Sequence, residues 1–241
     1  MSETSSPPSS AGDEGRRWDV VRRALDKALS VQNGAVEKHL ARARQRNPDA
    51  SPTDVVKTLE LMYRSALTGT GAAVGAAAAI PGVGTGAALA LSGGEMLSTM
   101  ELTVLFSLSV AQVHGVRVDE LERRRTLVLG IVLGGSSGET ISKIAERTGQ
   151  HWAKAIVDGV PVATLRQINK VLGRNFVTKY GTKQGILVLG KVVPFGVGAV
   201  IGGGANLAVS EATVRTARRA FGPAPAAWPQ AEPGPVSDAQ A

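Results

Sequence analysis

Cysteine is absent from the 241-residue chain, which excludes disulfide bonds, thiolate metal ligands and a cysteine nucleophile. Histidine is scarce, and none of the three, His39, His114 and His151, stands at a metal-ligand spacing such as HExxH. Aromatic residues make up only 4% of the chain, so the core must rely on close backbone approach more than on bulky side chains. The sequence therefore predicts no metal site and no cofactor.

Charge is missing from two long segments, Ser65 to Gly94 and Val192 to Ser210. The first is interrupted near its middle by Pro81, and the second carries Pro194 close to its start, each followed by glycines that break helices. These patterns predict two Gly/Ala-rich apolar helical hairpins. Each arm is shorter than the roughly 20 residues that a single helix needs to cross a bilayer.

Small and apolar residues dominate what is present. The chain has 29 glycines and is 43% hydrophobic, while charged residues make up 20% and cluster outside the apolar segments. The net charge is +7 and the isoelectric point is near 10.0. This charge permits attraction to anionic lipid headgroups or to nucleic acid, and solvated faces of an arginine-rich protein account for it equally well.

The two ends of the chain differ from its centre. Residues 1–15 are rich in serine and proline, are acidic and lack an apolar segment, which predicts a disordered tail and no secretory signal. Residues 223–241 are rich in proline and alanine and also predict a disordered tail. Residues 16–222 form a single predicted helical domain, and we expect it to stay folded when both tails are removed.

Helix signals recur along this domain and strand signals are scarce, so the predicted fold class is all-α, a multi-helix bundle. The run Ser51 to Asp54 combines a hydroxyl cap, a proline at the first helical position and an acid in the first turn. Glycine and proline at 158–161 predict a turn. Two further helices are predicted after it, over Val162 to Leu172 and Asn175 to Leu189.

Glycines spaced by four residues predict faces on which helices pack closely, because four residues make about one helical turn. The same spacing serves helix packing in soluble proteins and in lipid. Together with the two prolines, these positions are our candidates for helix packing or membrane contact: Gly71, Gly75, Pro81, Gly130, Gly134, Gly138, Pro194, Gly198 and Gly202.

Arginines cluster near predicted helix ends, where cations are favoured and where they could contact lipid phosphates. The candidates for a basic surface are Arg123, Arg124, Arg125, Arg215, Arg218 and Arg219. The clusters are not interleaved with aromatic residues and no nucleic-acid-binding module is visible, so no nucleic-acid partner is expected.

One glycine-lysine motif resembles a phosphate-binding loop. It runs from Gly185 to Lys191, but Val192 stands where a serine or threonine hydroxyl would hold magnesium, and no strand precedes it. We interpret it as an apolar helix with one lysine that reaches water.

The segment Lys191 to Asn206, with its Gly-Gly-Gly-Ala-Asn run, resembles the signature of the EcsC family of bacterial proteins. The hairpin at Ile80 to Gly84 agrees with it, and the resemblance covers about Val55 to Phe221. It implies a helical protein that is membrane-associated or cytoplasmic and has no established activity. The family takes its name from a protein encoded beside an ABC transporter. The resemblance transfers no catalytic residues.

Three functional hypotheses follow. The first is a non-enzymatic, membrane-associated accessory or interaction protein that uses the hairpins and the basic helix ends, with a membrane lipid or a membrane protein as partner. The second is a soluble helical domain that binds an apolar ligand or a protein partner. The third is an enzyme of unknown type. The first places the protein in the cytoplasm, at or embedded in the inner face of the cell membrane, and the oligomeric state stays open.

Overall fold

A computed structural model describes residues 23, 25–30, 33–45, 47–78, 85–116, 118–134, 151–191 and 197–229. Within these residues every regular element is a helix, which confirms the predicted all-α class. A short helical segment at residues 25–29 comes first. The longer helices are α1 (Asn33–Arg44), α2 (Pro52–Ala78), α3 (Thr85–Val113), α4 (Leu121–Leu133), α5 (Trp152–Gly159), α6 (Val162–Lys191) and α7 (Val197–Phe221).

Helix α2 begins where its capping signal predicts. The Ser51 hydroxyl accepts a hydrogen bond from the Asp54 backbone N–H at 3.2 Å and donates one to the Asp54 carboxylate at 2.7 Å. Pro52 is the first helical residue, where its missing N–H leaves no intrahelical bond unmade. The hydrogen bonds from Ser51 and Lys57 lower the pKa of the Asp54 carboxyl. The carboxylate therefore stays ionised at the positive end of the helix dipole.

Helix α6 corrects one prediction, because the two helices expected over 162–189 form a single helix. Gly173 lies inside it, and a glycine in a helix interior costs about 1 kcal/mol relative to alanine. Leu172 and Phe176 are one turn apart and both are fully buried. A continuous helix buries both side chains on one face, which outweighs the cost of the glycine.

Helices α2 and α7 make the most extensive helix contact and run antiparallel. Their contacts follow this order: Glu60 bonds Arg218 near the start of α2, and Asn206 bonds the Leu67 carbonyl further along. Nearer the other end a Cβ on Gly203 would lie 3.6 Å from the Thr68 carbonyl oxygen. The absence of a side chain at residue 203 thus lets the two backbones approach closely.

The antiparallel pairing brings the carboxyl end of α2 and the amino end of α7 together. Only six residues connect α2 to α3, and only five connect α6 to α7, so the start of α3 and the end of α6 lie at this end too. Four helix ends therefore converge. We name this region the apolar end, formed by residues 71–78, 85–94, 185–190 and 197–204, none of which is ionisable.

The aromatic part of the core lies away from the apolar end. Tyr63 stacks on Phe106 with ring centroids 4.6 Å apart, and its hydroxyl shares a hydrogen bond of 2.8 Å with the Thr103 hydroxyl. Burial raises the pKa of Tyr63, so the phenol stays neutral. This buried polar pair fixes the contact between α2 and α3.

The chain stays packed on the bundle beyond α7, through the C-terminal segment, residues 222–229. Trp228 donates from its indole Nε1 to the Ala50 carbonyl at 3.1 Å, and the Arg44 guanidinium lies 4.7 Å from its ring centroid. Pro229 covers Gly115, which ends α3 with φ 71°. The boundary of the predicted tail at Pro223 is therefore too early. Residues 230–241 and the predicted tail at 1–15 lie outside the described residues.

Candidate interaction surface

The apolar end is free of charge over a considerable depth on three helices. The first charged residue met from this end is Glu95 on α3, Arg64 on α2 and Glu211 on α7. At 1.5 Å per residue the uncharged lengths are roughly 15 Å on α3 and roughly 21 Å on α2 and α7. Among the described side chains of this end, those of Ala73 and Ala76 are exposed.

The glycine candidates are distributed over several places. Gly71 on α2 and Gly130 on α4 are buried, and Gly75, Gly198 and Gly202 lie on α2 and α7. The glycine at the close approach of α2 and α7 is Gly203, which follows the predicted position Gly202 by one residue. Gly138, Pro81 and Pro194 lie outside the described residues.

The spacing of the glycines predicted that Gly134 lies on a helix face, but the structure places it at the end of a helix. It ends α4 with φ 54° and ψ −146°, a backbone conformation that is open only to glycine. A Cβ on it would lie 2.8 Å from the Thr216 hydroxyl on α7. Its conformation and the close approach of α7 both require glycine there.

Arg124 is not a surface residue, in contrast to the prediction from its cluster. Only 8% of it is exposed. Its Nε donates to the Val118 carbonyl at 2.6 Å, and its Nη2 donates to the Asn33 side-chain oxygen. The guanidinium thus ties the start of α4 to the start of α1.

The neighbouring arginines also hold helices together. Arg123 donates through Nη1 to the carbonyls of Ile156 and Val160, at 2.9 and 3.1 Å, and so satisfies groups at the end of α5. Arg125 forms an ion pair with Asp26. The cluster at 123–125 is therefore a structural junction around α4 rather than a free basic surface.

The second predicted basic cluster is divided. Arg218 donates to both oxygens of Glu60, at 2.7 and 2.5 Å, and this carboxylate is buried. Arg64 donates to Glu211 at 2.6 Å and to Glu60 at 3.4 Å, which joins the two acids into one network between α2 and α7. All three arginines of the predicted cluster are exposed, and Arg218 is the one that pairs with the buried Glu60.

Distance along the helices separates both clusters from the apolar end. Arg215 to Arg219 follow the start of α7 by 18 to 22 residues, which is roughly 27 to 33 Å. The Glu122 backbone, beside the arginines of α4, accepts a hydrogen bond from Asn169 on α6, which precedes Gly185, the first residue of the apolar end on that helix, by 16 residues. Neither predicted cluster can therefore contact the same surface as the apolar end unless that surface extends along most of the bundle.

A basic helix that sequence analysis missed is α6. Its 30 residues include no acid, and its exposed bases include Arg166, Lys170 and Arg174. Three more bases follow toward the apolar end, Lys179, Lys183 and Lys191. The signal in the sequence is the complete absence of Asp and Glu over 30 residues, which a search for adjacent arginines does not detect.

The remaining candidates for a small-molecule site are modest. A cavity of about 150 Å³ opens between α1 and the end of α3, lined by Asn33, Val36, Glu37, Leu108, Gln112, Val116, Val118 and Asp119. The Asn33 amide already donates to Asp119 at 2.8 Å. The described part of the chain contains no group of three His, Asp or Glu residues able to hold a metal ion. Residues 185–191 are helical, in agreement with our interpretation of the glycine-lysine motif as a helix.

In the described ranges, no helix combines the length and the apolar character needed to span a membrane.

Comparison with protein families, curated proteins and solved structures finds no match for this chain. The resemblance to the EcsC family therefore stays a prediction.

Proposed function

We propose that this protein is a membrane-associated interaction protein that inserts its apolar end into one leaflet of the cell membrane from the cytoplasmic side. The observation that carries the proposal is the convergence of four helix ends, of which those of α2, α3 and α7 contain no ionisable residue over roughly 15 to 21 Å, while α6 ends on Lys191. The uncharged depth of roughly 15 to 21 Å equals about half of the roughly 30 Å hydrocarbon core of a bilayer. Insertion of the apolar end into one leaflet therefore buries no charged residue of α2, α3 or α7.

The composition of the apolar end suits such an insertion. Its helices satisfy their own backbone hydrogen bonds, which is required of any segment that enters hydrocarbon. The close contact of α2 and α7 at Gly203 keeps this end narrow. The network of Arg64, Glu211 and Arg218 around the buried Glu60 carboxylate lies further along the same two helices, where it joins them on the aqueous side.

A second candidate function is a docking site for an apolar ligand or a helix of a protein partner. The observation that favours it is the small size of the exposed residues Ala73, Ala76 and Gly204, since small side chains allow close helix approach. If this candidate function is correct, the apolar end binds a protein surface or an apolar ligand and has no affinity for lipid alone. The two functions differ in whether protein-free vesicles bind the chain.

Vesicle flotation of the purified protein tests the proposal. We expect the wild-type protein to float with phosphatidylcholine-phosphatidylserine vesicles and to remain partly bound at about 1 M salt, where the Debye length of about 3 Å leaves only apolar attachment. In cells, part of the protein should pellet with membranes and require detergent for extraction. A protein that stays wholly in the low-salt supernatant and ignores vesicles would contradict the proposal and favour the docking site.

A matched pair of variants locates the contact. Ala73→Glu with Ala76→Glu adds two charges to exposed positions of the apolar end, and we expect salt-resistant flotation to be lost because a buried carboxylate is costly in hydrocarbon. Ala35→Glu with Ala41→Glu adds the same charges to exposed positions of α1 and should float like the wild type. Equal behaviour of the two variants would contradict insertion of the apolar end.

A further inference from the structure

Helix α6 differs from its three partners at the apolar end. Among these four helices α2 packs on both α3 and α7, while α6 packs mainly on α7 and only slightly on α2, which gives the order α3, α2, α7, α6. Helix α6 therefore forms one edge of the row. The most extensive contact of α6 is with α4, and it includes the bond of Asn169 to Glu122, far from the apolar end. Within the depth that is uncharged on α2 and α7, α6 carries three charges, all of them lysines, whereas α3 carries a single acid, Glu95, at roughly 15 Å.

The positions of these lysines follow from the helix rise. Lys191 is the last residue of α6, Lys183 precedes it by eight residues and Lys179 by twelve, which corresponds to roughly 12 and 18 Å along the axis. An upright insertion of all four helices through one leaflet, roughly 15 Å deep, would draw Lys191 and Lys183 into hydrocarbon and leave Lys179 near the interface. Charged side chains avoid that environment and extend their flexible stems toward the interface.

We propose that the apolar end enters an anionic leaflet obliquely, with the α6 edge shallow, so that Lys179, Lys183 and Lys191 bind the phosphate groups of anionic phospholipids. This inference rests on the proposed function and adds lipid class and orientation to it. The row order permits the tilt, since α6 lies at one edge and α3, at the other edge, has an uncharged depth of roughly 15 Å, which matches the hydrocarbon of one leaflet.

A bilayer fits these lysines better than nucleic acid does. Between Lys183 and Lys191 the helix carries the apolar run Gly185 to Gly190. Burial of these apolar residues in lipid is favourable, whereas the phosphate backbone of a nucleic acid offers no apolar surface for them. The helix has a single aromatic residue between Lys179 and Lys191, Tyr180, whereas binding along a nucleic-acid strand relies on several aromatic side chains on which successive bases stack. The chemistry recognised is therefore a headgroup phosphate beside an apolar phase.

The test compares two triple variants of the full-length chain on one helix. The near variant is Lys179→Gln, Lys183→Gln, Lys191→Gln, and the far variant is Arg166→Gln, Lys170→Gln, Arg174→Gln. Each removes three positive charges from α6. The far residues precede Lys179, the near lysine furthest from the apolar end, by 5 to 13 residues, roughly 8 to 20 Å, which is about one to two and a half Debye lengths at physiological salt.

The readout is the partition coefficient onto vesicles of phosphatidylcholine with and without phosphatidylserine. One lysine near an anionic surface strengthens binding about fivefold, so the near variant should lose roughly 100-fold on anionic vesicles and little on neutral ones. The far variant should stay within a few-fold of the wild type. Replacing the three near lysines by arginine should preserve binding, and circular dichroism confirms that each variant is folded.

Each alternative result is decisive. Equal wild-type binding to neutral and anionic vesicles would overturn this inference and leave the proposed function standing, whereas absence of binding to either would overturn both. A loss in the far variant as large as in the near one would mean that the bundle lies flat on α6 and would overturn the oblique orientation. Tighter binding to duplex DNA than to vesicles, lost in the near variant, would replace lipid by nucleic acid and overturn it.

Discussion

Asn206 on α7 donates a hydrogen bond of 2.9 Å from its side-chain amide to the Leu67 backbone carbonyl on α2. Only 7% of Asn206 is exposed, and the same carbonyl also accepts from the Thr70 hydroxyl at 2.9 Å. A buried amide that bonds the backbone of a neighbouring helix fixes both the spacing and the register of the pair. The final residue of the Gly-Gly-Gly-Ala-Asn run thus sets how the apolar segments of α2 and α7 align.

Replacing this amide tests its contribution. Asn206→Ala should destabilise the protein by about 1 to 3 kcal/mol, because a buried carbonyl loses one of its donors. Asn206→Asp should cost more, since a carboxylate facing the Leu67 carbonyl is both buried and repelled. Burial raises the pKa of such an aspartate in the folded state, so its neutral form is favoured and stability should recover as the pH falls through that pKa. Urea unfolding at several pH values measures both effects.

The control is Ala208→Asp, which adds the same carboxylate at an exposed position of α7. It should lower stability by about 0.7 kcal/mol, the cost of replacing alanine by aspartate in a helix interior. Comparable losses in Asn206→Asp and Ala208→Asp would show that burial at residue 206 does not govern the effect.

Arg218 and Arg219 are adjacent in the sequence but should behave differently. Arg218→Ala leaves the buried Glu60 carboxylate with only the longer, 3.4 Å contact to Arg64. Breaking a fully buried ion pair costs about 3 to 5 kcal/mol, and we expect about 2 to 3 kcal/mol because 59% of the Arg218 side chain is in solvent and water can partly replace it. Arg219→Ala, at an exposed position, should be close to neutral. Thermal unfolding of the two variants measures this difference. An equal drop in Tm for both would show that the pairing of Arg218 with Glu60 does not contribute to stability.

The helical class and several helix boundaries could be predicted because they depend on local signals. The Ser51 to Asp54 cap and the turn at 158–161 act within a few residues, and both are found where expected. The roles of Arg124 and Arg218 could not be predicted, since each is decided by a partner far away in sequence, Asn33 and Glu60 respectively. A run of arginines has the same appearance in sequence whether it faces solvent or joins helices.

The candidate surface was predictable in part for a similar reason. The uncharged segments are visible in the sequence, but their convergence at one end depends on the antiparallel register of α2 and α7, which contacts such as Gly203 against Thr68 determine. That register also separates the predicted arginine clusters from the apolar end. The lysines of α6 gain their significance only after α6 is placed at the edge of the row.

Gly134 should resist substitution for a conformational reason. Gly134→Ala should destabilise by about 1 to 3 kcal/mol, since a side chain at φ 54° is strained and its Cβ would meet the Thr216 hydroxyl. Adding Thr216→Ala removes the contact but not the strain, so only part of the loss should be recovered. Gly69→Ala serves as the opposite control: a Cβ there meets nothing within 4 Å, and alanine should stabilise the helix by up to about 1 kcal/mol. The denaturant midpoint should rise from Gly134→Ala to the double variant with Thr216→Ala, then to the wild type and to Gly69→Ala. Any other order would contradict this explanation.

Trp228 anchors the C-terminal segment and gives the last prediction. A chain that ends at Pro229 should melt like the full-length protein, whereas one that ends at Gly222 loses the indole that covers Arg44 and bonds Ala50. Half-burying a large aromatic side chain stabilises by about 1 to 2 kcal/mol, which corresponds to a drop in Tm of roughly 2 to 8 °C for a chain of this size. Trp228→Ala in the full-length chain should reproduce most of this drop. Trp228→Phe keeps a ring beneath the guanidinium but removes the Nε1 donor. Its Tm should lie between those of the full-length protein and Trp228→Ala, because only the hydrogen bond is lost. If both truncations melted at the temperature of the full chain, the predicted tail would be dispensable from Pro223 onward and the anchoring role of Trp228 would be wrong.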